Sequence, residues 1–242
     1  MEYRMEKLNW KQFKRTVPGK TDAVLLPVGT IEAHGPGVLG TDVIIPAYLA
    51  ERLSKKINAL TAPAVNYGVT NSLLAYPGSL TVSPETLKAY VRETAFSLAE
   101  AGFKKIIVLN GHGGNIESLE DLGAALWKEK GVFCMVVHWW MAAEEAAAKY
   151  FDGTGHAGAD ELAALMAIDP TLVSRSDYSR EEAGHRFKGI NMHPFYRCII
   201  LNQPGKGYLR FDTGRAKKYI EAVVDKLALD IKEILAGWEK IV

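Results

Sequence analysis

A disulfide scaffold, a membrane span and a nucleic-acid-binding charge field are all missing from this sequence. Only two cysteines, Cys134 and Cys198, occur among 242 residues. Both sit in apolar or strand-like surroundings and read as buried, inert thiols of a reducing cytoplasm. No apolar run approaches the roughly 20 residues of a membrane span, so a soluble protein is expected. The opening residues, Met1-Glu2-Tyr3-Arg4-Met5-Glu6-Lys7, are too charged for a signal peptide. Charge of one sign is lacking too: 29 basic and 28 acidic residues leave a formal charge of +1, so no global field draws nucleic acid or an anionic membrane. Two enzyme signatures are incomplete at the HGG string. Gly111-x-Gly113 could begin a dinucleotide loop, but Ile116 stands where the last glycine of G-x-G-x-x-G would be. The HGG string at His112 has no G-x-S-x-G nucleophile elbow to serve, as the oxyanion loop of a serine hydrolase would. Repeats, low-complexity tracts and linkers are lacking, and the length suits one α/β domain over residues 1–242.

What is present is an alternation of strand-like runs and helical patterns, the arrangement that calls for a mostly parallel sheet covered on both faces. Ala23 to Val28 reads as the first strand, Lys104 to Leu109 as another and Val132 to His138 as a third, with a short one at Ala62 to Val65. A helix is expected over Pro46 to Ile57, with Pro46 near its start. Ser83-Pro84-Glu85 supplies an N-cap, a first-turn proline and an early acid for a helix that stops at Gly102. A helix after Asn115 ends near Gly131, and an Ala- and Glu-rich helix follows Trp139 and Trp140. Asp152 to Ala159 is read as a loop leading into a helix from about Asp160 to Ala167. Arg197 to Leu201 suggests an edge strand, and Thr213 to Gly237 a long amphipathic helix.

Three polar clusters follow strands, and open parallel sheets bind ligands beyond their carboxyl ends. In Glu32-Ala33-His34-Gly35-Pro36-Gly37-Val38-Leu39-Gly40-Thr41-Asp42, Glu32 and His34 share a face if the strand conformation persists. The glycines let Asp42 return toward them, making a plausible two-metal ligand cluster. An isolated E-x-H would mean only a polar turn. Asn110-Gly111-His112-Gly113-Gly114-Asn115 places one imidazole at a strand-to-helix junction, where free N–H groups also suit an anion. Gly155-His156-Ala157-Gly158-Ala159-Asp160-Glu161 adds a candidate proton carrier, His156. Asp160 and Glu161, taken alone, would serve only the helix dipole. His138, His185 and His193 carry no distinguishing context. Trp139 and Trp140 could stack a ring, although core packing is the commoner use. A non-catalytic module holding a nucleotide or sugar phosphate is the competing reading, and it would need no metal.

Together, Glu32-x-His34-Gly35-Pro36, Gly40-Thr41-Asp42, the whole Asn110 to Asn115 string, and His156-Ala157-Gly158 with Glu161 resemble the creatininase family of metal-dependent amidohydrolases. The likeness runs from about residue 8 to 168. It implies a three-layer α/β/α sandwich and two divalent metal ions, zinc and/or manganese, with iron in some members. A small-molecule substrate, a cytoplasmic location and a homo-oligomer, a hexamer by resemblance, are implied as well. Carried over by resemblance, Glu32 and His112 ligate one metal, His34 the other, Asp42 bridges both, and His156 transfers protons. Two metals lower the pKa of a bridging water, so the chemistry needs no protein nucleophile. Family activities include opening the creatinine ring, deformylating a pyrimidine nucleotide intermediate and hydrolysing a cyclic inositol-derived diketone.

The sequence departs from the family pattern at three places. The usual E-x-H-G-P-H-L-P-L-G-T-D is one residue shorter here and lacks its second His. Gly114 stands where creatininases proper have an acid, and Asp152-Gly153 where they have a Trp-Asp pair. These departures weigh against creatinine itself. The glycine at 114 also leaves the ion that His34 and Asp42 would hold one ligand short, a place for which Glu161 is expected, in the metal set and beside His156 in the catalytic one.

Overall fold

The computed structural model describes residues 1–241. After a short helix α1 (Trp10–Thr16), closed by a capping box between Asn9 and Gln12, the chain enters β1 (Ala23–Val28), buried at all six positions. There follow α2 (Thr41–Ile57), β2 (Leu60–Thr61), α3 (Pro84–Glu100), β3 (Lys105–Asn110), α4 (Ile116–Leu119), α5 (Leu122–Lys130) and β4 (Phe133–His138). Helices α6 (Trp139–Ala142) and α7 (Glu144–Ala148), strand β5 (Gly155–His156) and helix α8 (Ala159–Ile168) come next. Strands β6 (Ala183–His185) and β7 (Ile199–Leu201) precede the long α9 (Thr213–Trp238).

The main sheet is parallel, in the order β2-β1-β3-β4. Successive side chains on a strand point to opposite faces, and the cores divide accordingly. Leu25, Ile107 and Leu109 pack with Leu49 and Leu53 of α2, Leu162 and Leu165 of α8, and Val223 and Leu227 of α9. Val24, Leu26, Val28, Ile106 and Val108 pack with Leu87, Val91 and Leu98 of α3 and Leu126 of α5. Helices therefore cover both faces, giving the expected three-layer α/β/α sandwich with a parallel sheet. Truncating a buried leucine here, such as Leu25→Ala, would cost about 2–5 kcal/mol.

Register positions the functional loops. Val28 pairs with Asn110, and Asn110 with His138, so three strands end at one level and their following loops share one rim of the sheet. A second, smaller sheet, β5-β7-β6, has β5 antiparallel and β6 parallel to β7.

Several sequence expectations shift. Helix α2 begins at Thr41, so Pro46 lies inside it; the N–H it lacks would have bonded the Asp42 carbonyl, which instead packs against Gly29 and Gly111. The strand expected at Ala62 to Val65 is Leu60–Thr61, with only an isolated bridge from Val65 to Val28. The helix after Asn115 is split into α4 and α5. The stretch from Asp152 to Ala159 contains β5, and the expected edge strand at Arg197 to Leu201 is the central β7. Among the described residues no helix is long and apolar enough to cross a membrane.

Candidate metal centre

Strand β1 ends at Val28, so Glu32 and His34 stand in the following loop rather than on one face of a strand. Tertiary hydrogen bonds hold that loop instead: Glu32 N–H donates to the Leu39 carbonyl, Ala33 N–H to Ser79 Oγ, and Gly37 N–H to the His34 carbonyl. Gly35 has φ +51, and a Cβ there would stand 2.7 Å from Ile199 Cγ1, so β7 packs directly on the bend. Asp42 sits in the first turn of α2, His112 in the loop after β3, His156 on β5 and Glu161 in the first turn of α8. Three separate stretches of sequence, carried on these five elements, bring all six predicted residues together.

Asp42 lies at the middle of the cluster. One of its oxygens, Oδ1, is 2.9 Å from His34 Nε2, and the other, Oδ2, is 2.8 Å from His112 Nδ1. Glu32 Oε1 is 3.2 Å from the same His112 nitrogen and 3.3 Å from His156 Nδ1, while Glu161 Oε2 is 3.7 Å from His34 Nε2. Ligand atoms of Glu32, Asp42 and His112 converge within 4.8 Å, as do those of His34, Asp42 and Glu161, and of Glu32, His34 and His156.

The outward-facing ring nitrogens decide the tautomers. His34 Nδ1 is 3.0 Å from the Glu32 carbonyl, His112 Nε2 2.9 Å from that of Val69, and His156 Nε2 2.8 Å from that of Ala33. A carbonyl only accepts, so each of these nitrogens carries the hydrogen. The opposite nitrogen of every ring then turns a lone pair, or a second proton, toward carboxylates. Glu32 Oε1 and Asp42 Oδ2 are buried and make no hydrogen bond of proper geometry, although His112 Nδ1 is close to both. Three carboxylates facing three backbone-oriented imidazoles form a mixed nitrogen–oxygen donor set that fits divalent cations such as zinc or manganese.

Electrostatics without a cation are severe. Burial opposes protonation of His34, yet Asp42, with Glu161 and Glu32, raises it to about 10. His112 is likewise raised, against burial, by Glu32 and Asp42. Burial would raise Asp42, but His34 and His112 hold it well below the carboxylate range. His156 moves the other way: burial and the neighbouring His34 charge lower it to about 4. Asp160 and Glu161 are both pushed up by burial, Asp160 to about 7. Their backbone bonds, from Gly155 N–H to Asp160 Oδ1 at 3.1 Å and from Ala157 N–H to Glu161 Oε2 at 2.7 Å, show that both do more than cap a dipole.

The packing around Gly114 explains one departure seen in the sequence. A Cβ at Gly114 would collide with the Val69 carbonyl and stand 2.5 Å from His112 Nε2, so this loop has no room for an acid there. Asn115 ties the surrounding backbone down, accepting from Val69 N–H and donating to the Gly29 carbonyl and to Asn110 Oδ1. The cluster floors a cavity of about 500 Å³. Trp140, His193, Arg186 and Asn202 line its wall, whereas Trp139 is core and His138 bonds Asn110 Nδ2 at 3.0 Å. Arg186 and Asn202 went unnoticed in the sequence because no motif surrounds them. Only their places on the second sheet bring them to the cavity.

The creatininase family model, described as creatinine amidohydrolase, matches residues 6–228. The chain belongs to the creatininase family. Creatininase-family relatives include the creatinine amidohydrolase of Pseudomonas putida, 27% identical over 187 residues covering 69% of this chain and 72% of that protein. The mycofactocin precursor peptide peptidase of Mycolicibacterium smegmatis is 32% identical over 162 residues, 62% of this chain and 59% of the peptidase. A solved creatinine amidohydrolase, or creatininase, superposes with a TM-score of 0.80 at 21% identity, covering 96% of this chain and 97% of that one. Creatininase structures of a Zn–Zn type and of a Mn form share the fold.

Proposed function

We propose that this creatininase-family hydrolase cleaves a C–N bond, in an amide, cyclic amide or formamide, of a small polar molecule, with two divalent ions as cofactors. Glu32, Asp42 and His112 would hold one ion and His34, Asp42 and Glu161 the other. Zinc and manganese suit this donor set, and iron is compatible with it. When bound, such ions polarise a carbonyl oxygen and lower the pKa of a water molecule toward neutrality. The observation that carries the reading is the set of three imidazoles, each fixed by a peptide carbonyl and each turning its other nitrogen to carboxylates, two of whose oxygens lack a hydrogen bond.

His156 serves as the proton carrier. Burial favours its neutral form, and with Nε2–H committed to the Ala33 carbonyl, Nδ1, 3.3 Å from Glu32 Oε1, would accept a proton and return it to a departing nitrogen. General acid–base help of this kind contributes about 10²–10⁴ in rate. Glu161 shares the catalytic floor through its place beside His34. The names of the two relatives, an amidohydrolase and a peptidase, favour C–N over C–C cleavage, and the closed space at Gly114 argues against creatinine itself.

Zinc- or manganese-loaded protein screened against cyclic amides, formamides, short peptides and cyclic ketones tests this reading. Turnover within the C–N panel, abolished by chelation and restored by metal, is expected. A protein that holds no ions and turns over none of these would refute it. A homo-oligomer is part of the same reading, and a monomeric mass in solution would remove that part.

A further inference from the structure

The second sheet presents a polar face to the cavity. His156 on β5 pairs with Ile200 on β7, which pairs with Gly184 on β6. The ladder continues one step past the strand ends: Asn202 N–H donates to the Thr154 carbonyl at 3.0 Å, and Arg186 N–H to the Leu201 carbonyl at 3.1 Å. Thr154, Asn202 and Arg186 thus form a second row, two residues beyond the row of His156, Ile200 and Gly184. Side chains two apart on a strand share a face. His156, Ile200, Thr154, Asn202 and Arg186 all line the cavity, as that periodicity requires.

The two ends of this face differ in charge. At the inner end His156 meets Glu32, with Asp42 and Glu161 close by. At the outer end Arg186 is the sole lysine or arginine among the residues lining the cavity. Arg186 meets no carboxylate among the described residues, as is also true of Arg15 and Arg175, but neither of those lines the cavity. Asn202 beside it is held by its own Nδ2 bond to Thr154 Oγ1 at 3.0 Å. Arg186 is exposed at the rim of the cavity, where its five donors in a planar fork suit a carboxylate or phosphate. Strand spacing puts the Cα atoms of His156 and Arg186 about 12 Å apart, two strands over and two residues along.

We propose that the substrate carries an anionic group, a carboxylate or phosphate, which Arg186 binds at the outer end of the second sheet while the scissile bond lies over His156. This rests on the metal-hydrolase reading above and specifies its substrate class. Arg186 fixes one end of the molecule and the floor of the cavity takes the other, so the distance between them selects substrates by length as well as charge.

Hydroxamates bound to zinc-loaded protein, followed by calorimetry, test the proposal without relying on turnover. Acetohydroxamate reports the metal centre alone. Tailed hydroxamates with progressively longer methylene spacers end in a carboxylate, a phosphate or a neutral amide. At the best-fitting length an anionic tail should improve affinity over the amide by at least about tenfold. That ratio should collapse toward one in Arg186→Gln and survive in part in Arg186→Lys. Whichever of the two anions gives the larger ratio identifies the group. Equal binding of anionic and amide tails at every length, or a ratio unchanged in Arg186→Gln, overturns the proposal. Failure of acetohydroxamate itself to bind zinc-loaded protein overturns the metal reading and this inference with it.

Discussion

Substituting Gly111 by alanine should displace Asp42 without touching a ligand. Gly111 has no positive φ, so alanine meets no backbone penalty there; the obstacle is space. Its Cβ would overlap the Asp42 carbonyl and stand 2.7 Å from Pro46 Cγ, where ordinary contact begins at 3.4 Å. The start of α2 must then retreat by about 0.7 Å or more, and the Gly29 Cα pressed on the same carbonyl limits the directions available. Asp42 touches His34 and His112 at 2.9 and 2.8 Å, so a shift of that size spoils both contacts. Overpacking of this kind costs about 1–3 kcal/mol, or about 2–12 °C in Tm for a chain of this size. Metal affinity should fall about 10- to 100-fold, as when supporting groups are disturbed. Gly113→Ala is the control two residues along, because its Cβ would meet nothing within 4 Å; it should stay within about 0.5 kcal/mol of the parent. Scanning calorimetry and metal analysis after dialysis against a chelator provide the readouts. Gly111→Ala protein that keeps both ions and its Tm, or equal damage from Gly113→Ala, would refute the reasoning.

Metal analysis of Glu161→Gln should show loss of about one ion per chain, whereas His156→Ala should retain both and lose about 10²–10⁴ in rate; two tightly held ions in Glu161→Gln would return that residue to a packing role. Asp42→Ala should remove both ions, and unchanged metal content would eliminate it as the bridge. In metal-free protein His34 is raised to about 10, so the stability its imidazolium lends is complete below about pH 6.5 and lost as pH climbs toward 10. Bound ions displace that proton, so zinc affinity should rise with pH across the same window, with proton release visible by calorimetry in buffers of different ionisation enthalpy; a pH-independent affinity would contradict it. Burial pushes Cys134 up to about 12, so its thiol should resist alkylation in the folded protein and react after unfolding.

Legibility in the sequence followed length and periodicity. Strand β1 was readable to the residue because a strand buried on both faces leaves an unbroken apolar run, and α3 because Ser83 accepts from Thr86 N–H just ahead of Pro84. Strand β7 was misplaced because three residues are too few to show a period, and its central position comes from partners far away in the chain. Pro46 misled because the rule placing proline at a helix start concerns the missing N–H, and here the orphaned carbonyl packs against glycines instead. The five candidate ligands and the proton carrier stood out because glycines and turns mark their loops. Arg186 did not, since its meaning depends on Thr154 and Asn202 beside it, and a lone arginine in an irregular segment carries no pattern.

The carbonyls of Glu32, Val69 and Ala33 that orient the three imidazoles have an evolutionary consequence. Many metalloproteins orient ligating histidines with an aspartate or glutamate, which a single codon change can delete. Here the orienting atoms belong to the peptide backbone, and no substitution at positions 32, 33 or 69 removes them so long as the local path of the chain persists. Sequence can therefore drift widely around the centre while the rings keep their aim. That tolerance gives a physical route by which the surrounding walls could be rebuilt for new substrates without first dismantling the floor.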